Sequence, residues 1–125
     1  MHRDIKGGNL LLTKDGVLKI ADFGLAREFI KVNSNHFTVR VVTRWYRAPE
    51  LLFMYPKYKE AIDVWSVGCF IAELFIGKPL FPGRSDLEQL PCIFEKLGVP
   101  TDETWPNVTT YRGYAECVAE HQKRK

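Results

Sequence analysis

The stretch that most constrains this chain is Ala61 to Ile76, AIDVWSVGCFIAELFI, which as a helix is apolar on nearly every face. Such a helix must be buried almost all round, so the rest of the chain has to pack about it. Asp63, Ser66 and Glu73 are its exceptions and form a narrow polar stripe at helical spacing. The helix would be only ~24 Å long, short of the ~30 Å hydrocarbon core, and it carries those polar groups, so a membrane span is rejected. Gly77 supplies the stop.

The other elements follow from turn and cap chemistry. Leu10-Leu11-Leu12 and Val17-Leu18-Lys19-Ile20 flank Thr13-Lys14-Asp15-Gly16, which reads as a β-hairpin on an Asp-Gly turn. Residues 25 to 47 are poor in apolar runs and include Asn33-Ser34-Asn35-His36, a long loop in which His36 is a surface residue. Lys78 to Gly83 is a second loop, after which Ser85-Asp86-Leu87-Glu88 has the wording of a capping box that opens a helix. Pro91 predicts a kink or break in that helix, costing ~3 kcal/mol if it stays helical. Gly98-Val99-Pro100 ends it, Thr101 to Trp105 form a short capped turn, and Ala115 to Gln122 form a last helix.

Composition excludes more than it assigns. At 125 residues the chain is one domain at most, and 46% hydrophobic with 26% charged residues is ordinary for a globular protein. A net charge of +3 with no dense basic stripe among aromatics argues against nucleic-acid binding. Gln122-Lys123-Arg124-Lys125 is a short solvated basic terminus. Cys69, Cys92 and Cys117 are odd in number and lack metal-ligand spacing, so they read as reduced thiols of an intracellular protein, with Cys69 a small core residue. No signal peptide is expected, since the chain begins on a polar loop.

The chemistry is concentrated in the first twenty-four residues. His2-Arg3-Asp4-Ile5-Lys6-Gly7-Gly8-Asn9 is followed, across the hairpin, by Asp22-Phe23-Gly24, and Ala48-Pro49-Glu50 closes the next segment. Each string alone is weak, a charged loop or a turn, but three in this order and spacing are specific. They resemble the H-R-D-x-x-x-x-N loop, the D-F-G motif and the A-P-E motif of protein kinases, which transfer a γ-phosphoryl group from ATP. The wording of Leu18 to Arg27, of Val41 to Leu52 and of Asp63 to Cys69 resembles the cyclin-dependent kinases. Thr43-Arg44-Trp45 and Phe81 to Leu90 lean towards two branches, the CDK-activating kinase and the cell-cycle-related kinase, and the choice between them stays open.

That resemblance implies roles. Asp4 orients the substrate hydroxyl and accepts its proton, Lys6 offsets charge on the transferring phosphate, and Thr43 helps align the acceptor. Asn9 and Asp22 offer hard oxygen ligands to Mg²⁺ and so take part in holding ATP. Asp63 caps the backbone near His2 and Arg3, as its place near a helix start also favours. Thr38 is the phosphorylated regulatory threonine, with Arg3 and Arg27 as phosphate partners. Val41 and Val42 shape a pocket for the residue after the phosphoacceptor, with Arg47 supporting their backbone. The expected substrates are therefore proteins bearing Ser-Pro or Thr-Pro, the expected partner is a cyclin or cyclin-like subunit, and the expected location is the nucleus, the cytoplasm or both. Gly7-Gly8 departs from the common Lys-Pro-x-Asn wording and predicts a looser loop.

The likeness covers residues 1 to 108, leaving 109–125 as a divergent tail. The expected fold is α+β and partial: the mainly helical large lobe of a kinase with a small β-hairpin, and no small lobe, Gly-rich loop or strand lysine. Two readings of such a chain compete. It is part of an active serine/threonine kinase, or it is a non-catalytic short product acting as an interaction decoy. A third, a pseudokinase fragment, is opposed by the intact Asp4, Asn9 and Asp22. The isolated chain is expected to lack activity, because the upper clamp on ATP is not encoded.

Overall fold

The hairpin forms where its turn residues place it. Leu10–Leu12 (β1) pairs antiparallel with Leu18–Ile20 (β2), with Leu10 opposite Ile20 and Leu12 opposite Leu18. Gly16 takes the left-handed conformation (φ 81°), and its N–H donates to the Thr13 carbonyl at 3.0 Å. The Val17 N–H donates to Thr13 Oγ1 at 2.9 Å, closing the loop from its other side. Ala21 N–H donates to the Asn9 carbonyl at 2.9 Å, one step past the ladder. The two strands thus hold the ends of two chemical motifs side by side.

This computed structural model describes residues 1–28 and 41–124, so Thr38 and His36 lie outside the described residues. Among the described residues four α-helices follow the hairpin: Pro49–Leu52 (α1), Ala61–Ile76 (α2), Asp86–Leu97 (α3) and Tyr114–Lys123 (α4). Gly77 ends α2 at φ 71°, its N–H returning to the Glu73 carbonyl. Ser85 caps α3 by accepting the Glu88 N–H at 3.2 Å, and the Glu88 carboxylate reaches back to the Arg84 N–H at 3.0 Å. The reciprocal half of the capping box is therefore displaced by one residue. The turn at Thr101–Trp105 closes on the Thr101 carbonyl, which accepts from the Thr104 and Trp105 N–H groups.

One expectation is corrected here. Pro91 does not break α3, which runs without interruption from Asp86 to Leu97. The bond it forfeits is to the carbonyl of Leu87, while Pro91 itself and Leu90, Ile93 and Phe94 are buried and hold the helix in the core. The apolar α2 is covered on one face only, as expected for a chain that does not encode the helices needed to cover the rest. One face, Ile62, Ser66 and Cys69, is buried, but Val64 is 69% exposed, Leu74 67% and Phe75 86%. The described residues cover only one side of the helix that the sequence requires to be buried all round.

The core has two parts. In the first, Val41, Val42, Tyr46, Ala48 and Leu51 pack with Tyr58, Ile62, Cys69, Phe81 and Ile93, wedging the 41–51 segment between α2 and α3. Ser66, fully buried on α2, places its hydroxyl 2.7 Å from the Tyr46 carbonyl and 3.0 Å from that of Ile62. In the second, Phe53, Leu90, Phe94, Val108 and Cys117 are ringed by Trp105, Tyr111 and Tyr114, and α4 lies on α3. Cys69, Cys92 and Cys117 are free thiols. Among the described residues no helix is long and apolar enough to cross a membrane.

Candidate active site

The loop from His2 to Asn9 is set by α2. Asp63 accepts the backbone N–H of His2 at 2.7 Å and that of Arg3 at 2.8 Å, one on each carboxylate oxygen. Arg3 takes a left-handed φ of 70°, an uncommon conformation for a side-chain-bearing residue, which this carboxylate and the buried guanidinium hold in place. The Arg3 guanidinium donates to the Leu25 carbonyl at 2.7 Å and to the Tyr58 hydroxyl at 2.9 Å. His2 lies buried beside Phe23, ring centroids 5.1 Å apart. Its Nδ1 accepts the Asp4 N–H at 3.2 Å, so its Nε2 is left to donate to the Ala21 carbonyl at 3.0 Å.

Asp4 is the hub of the site. One carboxylate oxygen accepts from the Thr43 N–H at 3.2 Å and the Thr43 hydroxyl at 3.1 Å. The other lies 3.0 Å from Lys6 Nζ and 3.1 Å from Asn9 Nδ2. Lys6 Nζ also donates to Thr43 Oγ1 at 3.0 Å, which closes a ring of three side chains. Burial pushes the Asp4 carboxyl up, but the hydrogen bonds from Lys6 and Thr43 and the Lys6 charge outweigh it and hold the group below the usual carboxylate range. Asp4 is therefore an ionised acceptor at neutral pH.

Asn9 and Asp22 have the donor chemistry of metal ligands. Asn9 Nδ2 donates to the Asp4 backbone carbonyl at 2.9 Å as well as to its carboxylate. Both partners are acceptors, so the amide nitrogen must face them and Oδ1 turns away, free to ligate. Asp22 is exposed, sits at φ 61°, and spends one oxygen on the Gly24 N–H at 3.2 Å. A Cβ on Gly24 would come within 3.1 Å of that same oxygen. Among the described residues no cluster of three His, Cys, Asp or Glu side chains could hold a metal. One carboxylate and one amide oxygen fit a hard ion that takes its remaining ligands from phosphate and water.

The 41–47 segment is braced from below. Arg47 donates to the Val41 carbonyl through Nε at 3.0 Å and to the Val42 carbonyl through Nη2 at 3.0 Å. Val42 adopts φ 68°, costly for a β-branched residue, and its carbonyl points at the guanidinium. Arg27 is exposed and donates to the Ala26 carbonyl at 2.7 Å, while Arg3 is committed to Leu25 and Tyr58. At Gly7 a Cβ would meet Phe70 of α2 at 3.1 Å, while at Gly8 there is open space.

The profile of the protein kinase domain matches residues 1–120. The chain belongs to the protein kinase family. Its relatives within that family are cyclin-dependent kinases. This kinase chain is 58% identical over 114 residues to cyclin-dependent kinase 7 of Caenorhabditis elegans, covering 91% of the chain and 34% of that protein. It is 51% identical over 122 residues to human cyclin-dependent kinase 20, covering 98% and 35%. It is 53% identical to cyclin-dependent kinase C-1 of rice, covering 100% and 24%. A solved structure of the CAK complex of Chaetomium thermophilum bound to ATP-γ-S superposes with a TM-score of 0.84 at 50% identity, over 89% of this chain and 34% of that one. The fold is that of a protein kinase, and the chain spans a quarter to about a third of the relatives it matches.

Several residues of this kinase site escaped the sequence reading. Asp86 accepts from Arg44 at 2.8 Å and Arg47 at 3.2 Å, joining the start of α3 to the 41–47 segment. Gln89, fully buried, binds both the Gly83 N–H and the Phe81 carbonyl. Its signal was available: an amide inside an apolar helix face needs buried partners.

Proposed function

We propose that this chain supplies the catalytic loop and activation segment of a serine/threonine protein kinase of cyclin-dependent type, acting on Ser or Thr followed by proline. The observation that carries this is the Asp4–Lys6–Thr43 ring. It presents an ionised carboxylate beside a hydroxyl and an ammonium, all within about 3 Å of one another. Asp4 orients the substrate hydroxyl and takes its proton as the oxygen bonds to the γ-phosphorus of ATP and ADP leaves. Lys6 neutralises charge on the phosphoryl oxygens and Thr43 fixes the Asp4 carboxylate. Asn9 Oδ1 and Asp22 would hold Mg²⁺, which offsets the charge of the phosphates when bound.

Proline direction is supported by Arg47. It draws the Val41 and Val42 carbonyls onto its guanidinium, and we take this to direct them away from an N–H on the residue after the phosphoacceptor. Proline has no N–H to leave unpaired there, whereas other residues lose a hydrogen bond. A cyclin-type partner is supported by the cyclin-dependent kinases among the relatives and by the CAK complex that the chain resembles. Action in the nucleus or cytoplasm is part of the proposal, on the odd number of cysteines in the sequence. For Thr38 we retain the role of a phosphorylated switch, with Arg3 and Arg27 as its partners.

The test is radiolabelled transfer from ATP with Mg²⁺ to paired Ser-Pro and Ser-Ala peptides. It is run on the chain alone and on a chimera in which these residues replace their counterparts in a cyclin-dependent kinase 7. Positioning of ATP dominates phosphoryl transfer, so the chain alone should not exceed its Asp4→Asn control. The chimera should phosphorylate the Ser-Pro peptide in preference. A chimera no better than its own Asp4→Asn variant would overturn the proposal.

A second reading rests on the exposed apolar face of α2. A non-catalytic chain could use that face to hold partners of a complete kinase. An Asp4→Asn chain that keeps its full effect in cells would select this reading.

A further inference from the structure

We infer that a groove of about 610 Å³ between Thr43 and the Gly83–Arg84 turn recognises an anionic side chain, phosphorylated or acidic, on the substrate beyond its phosphoacceptor. This rests on the kinase reading, since the groove opens beside the Thr43 that binds Asp4, on the side of Val42. Its lining brings together the guanidinium groups of Arg44, Arg47 and Arg84, with Trp45 as a wall, and no carboxylate lines it. Asp86, just outside, accepts from Arg44 and Arg47. The nearby Glu88 carboxylate accepts the Arg84 N–H and pairs with Arg124, so guanidinium groups outnumber carboxylates around the groove, and the Arg84 guanidinium has no ion pair among the described residues.

The placement of Arg84 is built. Trp45 Nε1–H donates to the Gly83 carbonyl at 3.1 Å, and Arg44 donates to the Arg84 carbonyl at 3.1 Å. From beneath, Gln89 accepts the Gly83 N–H at 3.1 Å and donates to the Phe81 carbonyl at 2.9 Å. Gly83 has no room for a side chain: a Cβ there would lie 2.8 Å from the Gln89 Cα and 2.9 Å from its N. The backbone on both sides of Arg84 is therefore fixed while its side chain is exposed to solvent. The fixed backbone spares the main-chain part of the ordering cost when an anion binds, and the guanidinium fork matches carboxylate and phosphate oxygens.

The experiment scans one Ser-Pro peptide with Glu, phosphoserine or Ala at the second, third and fourth positions after the acceptor. Binding to the chain is read by fluorescence anisotropy, and turnover is read in the chimera described above. Anionic peptides should bind and turn over about fivefold better than the Ala series at one position, a gain that shrinks with salt. Arg84→Ala should abolish the gain, and Arg84→Glu should transfer the preference to a Lys-bearing peptide. Phosphoserine alone gaining would mark a phosphate reader; phosphoserine and Glu both gaining would mark a general anion site. Equal handling of anionic and neutral peptides by the unsubstituted protein, or a gain that survives Arg84→Glu, would overturn the inference. Turnover without anion preference would do so and leave the kinase reading standing. Arg84-dependent binding without turnover would do the reverse.

Discussion

The backbone N–H of Arg3 ends on the Asp63 carboxylate at 2.8 Å, across sixty residues of sequence. The neighbouring His2 N–H uses the second oxygen of the same carboxylate, so one side chain of α2 fixes the start of the His2 to Asn9 loop. Asp63→Ala would strand two N–H groups and release the left-handed Arg3. Hydrogen bonds to a charged group are worth ~1.5–3 kcal/mol each, so a loss of about 3 kcal/mol is expected in urea denaturation. Amide exchange at His2 and Arg3 should accelerate with it. Unchanged exchange at both amides would refute the anchoring role.

Lys6 and Thr43 together hold the Asp4 carboxyl below its ordinary value of 3.8. In Lys6→Met the carboxyl should titrate higher, read from its side-chain carbon resonance across an acid series. A folded-state pKa that is depressed contributes stability above the unfolded value, lost as pH falls through the folded one. The Asp4 contribution is thus complete at neutral pH and disappears only in acid below 3.8. No acid limb of activity between pH 5 and 8 should therefore arise from Asp4.

Burial and the adjacent Glu73 carboxylate push the Tyr46 phenol up to about 12, and its hydroxyl donates to Glu73 at 2.7 Å. Here the neutral form is favoured in the folded chain, so the sign is opposite to that of Asp4. Stability from Tyr46 is complete below the ordinary value of 10.0 and falls as pH rises towards about 12. Tyr46→Phe should flatten that alkaline slope and cost about 1 kcal/mol at neutral pH through the lost hydrogen bond. Denaturation midpoints at pH 7, 10 and 11 decide it; an alkaline slope as steep as that of the unsubstituted chain would count against this assignment.

The exposed Val64, Leu74 and Phe75 of α2 predict that the chain alone associates with itself at micromolar concentration. Leu74→Glu with Phe75→Lys should restore a monomer in sedimentation velocity while leaving the helical signal of circular dichroism unchanged. A chain already monomeric without these substitutions would contradict the prediction.

What the sequence determined by itself is local. The Asp15-Gly16 turn set the hairpin, Gly77 closed α2, and Ser85 opened α3, because each acts through hydrogen bonds within a few residues. The order of His2-Arg3-Asp4, Asp22-Phe23-Gly24 and Ala48-Pro49-Glu50 sufficed for the family, and the family supplied Asp63 as the anchor. What only the tertiary structure decided is which distant groups meet. Lys6 faces Thr43, Arg3 ends on Tyr58, and Asp86 joins Arg44 to Arg47, contacts spanning 37 to 55 residues. Pro91 stays helical with its ring buried in the core, which no local propensity shows. The same holds for α2: its composition demands burial on every side, but which side is covered depends on the packing of segments far away in the chain.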